Sequence, residues 1–200
     1  MKYDLHQKKV AILVAHGFEQ SELEEPRRVL VGAGAWTPIV SPEGDEVRGW
    51  DEVAFSNWFD VDAPLNQARE ADFDALLLPG GVMNSDRLRT IPKAVDFARS
   101  FVEAGKPVAA IGHGLQLLVE ADVVRNKTVT ACPSIKTDLL NAGANWAAKN
   151  VVADGGLVTS GGLMDVPAFI ERLIEAIGEG ALQPRRTGSG KVSLSGRLGR

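Results

Sequence analysis

Short, unbroken apolar runs alternate along this chain with segments whose apolar positions recur at helical spacing. Val10–Ala15 (VAILVA) is the first such run and predicts a strand buried on both faces. Glu22–Val31 follows as a helix, with Ser21 as its cap, Leu23, Val29 and Leu30 on the inner side and Gly32 as the stop. Thr37–Val40 predicts a second strand. The polar, tryptophan-containing stretch from Ser41 to Asn66 offers only two short strands, Val53–Phe55 and Trp58–Val61. Regularity returns with a strand at Ala75–Leu78, a helix over Ala94–Ala104 and a strand at Pro107–Ile111, followed at once by a helix from Leu115. A strand at Thr128–Ala131, a helix over Ile135–Ala142, a hairpin of Val151–Ala153 with Leu157–Thr159, and a closing helix over Val166–Ile177 complete the pattern.

Strand–helix alternation of this kind predicts an α/β domain: a flavodoxin-like three-layer sandwich, its sheet mostly parallel, with helices on both faces. In such folds the working site lies beyond the carboxyl ends of the strands. The pattern places one domain over residues 1–180. Residues 181–200, rich in Gly, Ser and Arg, read as a disordered basic tail, or as an arm for an anionic partner.

Charge sharpens this division. The formal net charge is −4, but the last twenty residues hold Arg185, Arg186, Lys191, Arg197 and Arg200 and no acid, which leaves −9 on residues 1–180. An acidic body argues against nucleic acid as the main partner. The hydrophobic share of 44% is that of a globular chain, and no apolar run near the start is long enough for a secretion signal or a membrane span. The single cysteine, Cys132, allows no internal disulfide, so a reducing cytoplasm is the expected compartment. His6, His16 and His113 lack metal-site spacing, and the Gly-Gly dipeptides form neither a dinucleotide fingerprint nor a phosphate loop; no metal or cofactor is expected.

Three segments sit at strand ends and should converge: His16–Glu22, Pro79-Gly80-Gly81 with Asp86 beyond it, and Ala110-Ile111-Gly112-His113-Gly114. The last passes from strand to helix with almost no connection, the strained turn used to hold a nucleophile above a sheet. Backbone N–H groups of a Gly-Gly turn and a helix start can stabilise a developing oxyanion.

These stretches, KKVAILVAHGFEQSELEEPR, DFDALLLPGG, AGKPVAAIGHG and the block from TACPSIKTDLLNAGANW to VTSGG, resemble the PfpI (ThiJ) family of intracellular proteases and stress proteins. That family lies within the class I glutamine amidotransferase-like superfamily, together with the parkinsonism-associated deglycase and glyoxalase III. The resemblance runs in family order from residue 8 to about residue 178 and implies a homodimer or hexamer acting on a small molecule or peptide. Family elbows read A-I-C-H-G, with the cysteine as nucleophile, the next histidine and a neighbouring subunit's acid completing a triad, and a first-helix glutamate bonded to the thiol. Carried over, the glutamate is Glu22, the histidine His113 and the acid Asp86, while Gly81 and the residue after the elbow match the oxyanion donors. Gly80, Gly114 and Gly161 fall on the ligand-facing turns.

The nucleophile position itself is Gly112, which has no side chain. Leu115 stands where family members carry proline, Cys132 where they carry an aromatic residue, and T-S-R-G-P-D-D becomes Thr159-Ser160-Gly161-Gly162-Leu163-Met164-Asp165. Several departures around one pocket read as drift after loss of cysteine chemistry, and the chain is expected to be a catalytically degenerate, stress-associated binding protein. The alternative is an active hydrolase, peptidase or glyoxalase/deglycase in type, using Cys132 or a water held by Glu22 and His113. Each residue also has a plainer role. Glu22 suits a helix N-terminus, His113 can pair with Asp86 across an interface, and Cys132 can be a small buried apolar residue.

Overall fold

The computed structural model describes residues 4–162 and 166–179. The chain opens with β1 (Val10–Leu13), β2 (Phe18–Glu19), α1 (Gln20–Gly32), β3 (Ile39–Ser41), β4 (Glu46–Asp51), β5 (Ala54–Asp60) and β6 (Ala63–Pro64). It continues through β7 (Ala75–Leu78), α2 (Val82–Arg89), α3 (Pro92–Glu103), β8 (Val108–Ile111) and α4 (Leu115–Glu120). It closes with β9 (Thr128–Val129), α5 (Lys136–Asn141), β10 (Asn145–Trp146), β11 (Val151–Asp154), β12 (Leu157–Ser160) and α6 (Val166–Glu179).

Seven strands form the central sheet in the order β11-β12-β8-β7-β1-β3-β6, parallel throughout except for the β11–β12 hairpin. Successive side chains on a strand point to opposite faces, so continuous apolar runs serve two cores at once. Val10, Ile12, Ala75, Leu77, Ala109 and Ile111 face Leu23 and Leu30 of α1 and Phe169, Leu173 and Ile177 of α6. Ala11, Leu13, Leu76, Leu78 and Ala110 face Phe97 and Phe101 of α3 and Leu115 and Leu118 of α4. This is the expected three-layer sandwich.

Several local expectations need correction. α1 starts at Gln20, and Ser21 is not its cap: β2 pairs Phe18 and Glu19 with Gly49 and Trp50 of β4, so the helix springs directly from a strand. The two short strands anticipated at Val53–Phe55 and Trp58–Val61 are a single strand, β5, antiparallel to β4, with Val53 in the turn and 85% exposed. Strand Thr128–Ala131 stops at Val129 and pairs with β10 outside the central sheet. Asp86 lies on an unanticipated helix, α2, whose polar sequence buries only Asn84, Ser85 and Leu88. Leu163–Asp165 and the basic tail of residues 181–200 lie outside the described residues. Among the described residues, no helix is long and apolar enough to cross a membrane.

Candidate functional site

Three strand ends meet here, as the topology requires. β1 is followed by β2 and α1, which carries Glu22; β7 runs into Pro79-Gly80-Gly81; and β8 ends at Gly112. Asn84, fully buried, fastens two of these ends together. Its side-chain amide donates to the carbonyls of Pro79 and Gly80, both at 3.0 Å, while its Oδ1 accepts the Ala15 N–H at 2.7 Å.

Gly112 adopts φ +51°, the left-handed region that side-chain-bearing residues rarely occupy. Gly112 thus carries the chain from β8 into the following turn with no side chain of its own. A Cβ at this position would lie 3.6 Å from Glu22 Oε1 and 4.0 Å from Oε2, with no other atom of the described residues beyond its chain neighbours within 4 Å. The neighbouring glycines are held by packing instead. A Cβ on Gly81, at φ +91°, would fall 2.3 Å from the Gly17 carbonyl, and one on Gly114 would fall 2.4 Å from that of Leu78.

Glu22 is 6% exposed, and its Oε2 accepts the Gly80 N–H at 2.6 Å. Burial pushes its carboxyl up to about 7, helped by the negative charge of Glu19 and opposed by the Gly80 hydrogen bond. Gly80 therefore spends its amide inside the protein, as does Gly161, whose N–H donates to the Asn150 carbonyl at 3.2 Å. Glu22, Gly81 and His113 line one cavity of about 430 Å³, which Gly17, Glu19, Trp50, Val82 and Met83 complete.

His113 and Cys132 do meet. Cys132 Sγ lies 3.5 Å from His113 Nδ1 and 3.3 Å from Ser134 Oγ, and Ser134 Oγ lies 3.1 Å from His113 Nε2. Burial lowers the half-buried imidazole's pKa and raises that of the half-buried thiol. At neutral pH the pair therefore rests uncharged, not as a thiolate–imidazolium pair. Asp86 is exposed on α2 and makes no hydrogen bond to His113 within the chain. His16 turns away to the β4–β5 hairpin, accepting the Arg48 N–H at 3.0 Å against the edge of Trp58.

A profile of the DJ-1/PfpI family matches residues 8–176, which is nearly the whole of the described chain. The chain belongs to the DJ-1/PfpI family. Protein/nucleic acid deglycase 2 of Escherichia coli is 40% identical over 173 residues, covering 86% of this chain and 98% of that one. General stress protein 18 of Bacillus subtilis is 39% identical over 164 residues, covering 81% and 93%. Among solved structures, the two-domain protein with DJ-1/ThiJ/PfpI-like and ferritin-like domains from Anabaena variabilis superposes with a TM-score of 0.80 at 33% identity. The match covers 91% of this chain and about half, 52%, of that protein.

Within this DJ-1/PfpI fold, sequence reasoning found Glu22, Gly81, Gly112, His113 and Cys132 together. Glu19 lay within the His16–Glu22 segment without a role of its own, and Trp50, Val82, Met83 and Ser134 were missed. Ser134 sits two residues from Cys132 and could have been found from that spacing. Trp50 comes from the hairpin, where no periodicity pointed inward.

Proposed function

We propose that this protein is a stress-associated member of the DJ-1/PfpI family that keeps the family pocket but has lost its elbow-cysteine chemistry. It then serves as a cytoplasmic binding protein for a small molecule or peptide. One observation carries the reading: Gly112 holds the elbow conformation, φ +51°, beside a buried Glu22, and offers no atom to attack a substrate. Removing a nucleophile costs acyl-transfer enzymes orders of magnitude in rate even when the oxyanion donors survive. The reading includes self-association as a dimer or hexamer, with Asp86 of one copy completing a neighbour's site, since Asp86 stands exposed beside the cavity rim formed by Val82 and Met83.

The contact between Cys132 and His113 at 3.5 Å favours a second reading, in which the nucleophile has moved across the histidine. A neutral imidazole can take the thiol proton as sulfur bonds to a substrate carbonyl carbon and the C=O π pair moves onto its oxygen, the logic of a base-activated nucleophile. Turnover of methylglyoxal and of a fluorogenic peptide by wild type, Cys132→Ser and Gly112→Cys separates the two. No turnover by wild type, with activity gained by Gly112→Cys, supports the degenerate protein. Wild-type turnover abolished by Cys132→Ser overturns it in favour of the relocated thiol.

A further inference from the structure

The seven-stranded sheet ends differently at its two edges. β6 is two residues long and carries Pro64, which has no N–H to offer, so that edge is blunted. β11 is four residues long and pairs on one side only, with β12. The register of that pairing decides which backbone groups are left over. Gly155 and Gly156, at φ +59° and +87°, make a two-residue turn, so Asp154 and Leu157 close the hairpin as a hydrogen-bonded pair. Such pairs recur at every second residue of an antiparallel ladder, and Val152 with Thr159 is the next. The Gly161 N–H, donating to the Asn150 carbonyl at 3.2 Å, continues the alternation. Val151 and Ala153 therefore turn their N–H and C=O groups away from β12, and among the described residues nothing else bonds to them.

All four residues of β11 line a cavity of about 580 Å³. Thr128, Ala147 and Lys149 wall it on the β9–β10 side and Arg172 on the α6 side, so the strand edge is its floor. The body of the chain is acidic, yet the free charge along this groove is positive. Lys149 is exposed, and Lys127 Nζ lies 3.0 Å from where a Gly155 Cβ would stand; neither has an ion pair among the described residues. The acids beside them are engaged: Asp154 Oδ2 accepts the Thr128 N–H at 2.7 Å, and Glu175 pairs with Arg172 at 2.9 Å.

We propose that the free edge of β11 is a docking site for an extended acidic segment of a partner protein, which joins the sheet as an eighth strand. Val151 and Ala153 supply two donors and two acceptors to its backbone, and Lys127 and Lys149 select its charge. The last twenty residues of this chain, with five cations and no acid, carry the wrong charge for the groove. The site stands apart from the cavity over Gly112 and does not depend on what that cavity does.

Two measurements test this: fluorescence anisotropy with a labelled, end-blocked Val-Glu-Val-Asp-Val peptide, and amide hydrogen exchange of the protein. In the free protein the Val151 and Ala153 amides should exchange readily beside protected Val152 and Asp154. The peptide should bind saturably and slow both open amides about tenfold or more. The same peptide N-methylated on the amides that would face the strand should not bind. Lys127→Glu with Lys149→Glu should weaken binding roughly tenfold. Ala153→Pro removes an outward donor while leaving the ladder to β12 whole, and should abolish binding with circular dichroism native. Equal binding of the N-methylated peptide would reduce the contact to charge alone and overturn the proposal, as would no binding at all. A free protein that runs as a dimer, with both amides already protected, would give the edge to a second copy and overturn it too.

Discussion

The Gly80 N–H donates to Glu22 Oε2 at 2.6 Å, tying the acid of the first helix to the turn that ends β7. A carboxyl held this way has its charge disfavoured by burial and partly restored by one hydrogen bond, and burial prevails.

Glu22 should therefore make the protein less stable as pH rises. Below its ordinary value of 4.5 the group is protonated in both folded and unfolded chains and contributes nothing. Between 4.5 and about 7 the unfolded chain releases the proton while the folded chain keeps it, so stability falls across that window. Above about 7 the full penalty applies, on the order of 3 kcal/mol. Glu22→Gln removes the titration while keeping an acceptor for Gly80. The melting-temperature difference between variant and wild type should widen from about pH 5 to about pH 8. A difference independent of pH would show that the carboxyl is charged in the fold.

Gly112 and Gly81 both have positive φ but should respond to alanine differently. At Gly112 the added Cβ meets, among the described residues, only Glu22, at 3.6 Å, so the cost is that of backbone strain, about 1–3 kcal/mol. Gly112→Cys carries the same strain and should also lower the melting temperature. At Gly81 the Cβ would sit 2.3 Å from the Gly17 carbonyl, forcing the turn apart as well, and Gly81→Ala should cost more than about 3 kcal/mol. Denaturant unfolding of both variants measures the order, and a Gly81→Ala protein no less stable than Gly112→Ala would refute the packing argument.

The central sheet was legible because strands buried on both faces, such as Ala75–Leu78 and Val108–Ile111, leave uninterrupted apolar runs. Convergence of Glu22, Gly81 and Gly112 followed from the rule that parallel strands present their carboxyl ends together. The hairpin was illegible for the opposite reason: β5 is exposed or half-exposed along its whole length, with Phe59 its one ring packed on the core, so burial marks its sequence too weakly for Trp50 to be assigned to the cavity. α2 was missed because its buried side chains include Asn84 and Ser85, which a hydrophobic pattern does not register. Ser21 failed as a cap because a long-range pairing, Glu19 with Trp50, fixes where α1 begins.

Asn84 makes a prediction that the hydrophobic pattern hides. It bridges β1 to the Pro79-Gly80 turn with three hydrogen bonds and is completely buried. Asn84→Ala removes the partners of the Ala15 N–H and the Pro79 carbonyl, while the Gly80 carbonyl keeps the Glu19 N–H at 3.3 Å, and should cost about 2–4 kcal/mol. Asn84→Asp keeps the acceptor for Ala15 but sets a carboxyl against the carbonyls of Pro79 and Gly80, so it should be no better at neutral pH. Thermal unfolding of the two variants reads this directly; an Asp variant as stable as wild type would mean the carbonyl contacts contribute little.

Cys132 offers a test of whether the site still holds a working thiol. Thiolate, not thiol, is the reactive form, and burial of Cys132 raises its pKa despite the hydrogen bond from Ser134. Alkylation by iodoacetamide should be slower at about pH 7 than that of free cysteine, and should climb through the alkaline range without a plateau near neutrality. Charge on Glu22 adds to the suppression, so Glu22→Gln should speed the reaction above about pH 7, where the wild-type carboxyl is ionised. A neutral-pH plateau in wild type, lost in His113→Ala, would instead reveal a thiolate stabilised by imidazolium. That outcome would turn the 3.5 Å contact between Cys132 and His113 from a resting neutral pair into a catalytic one.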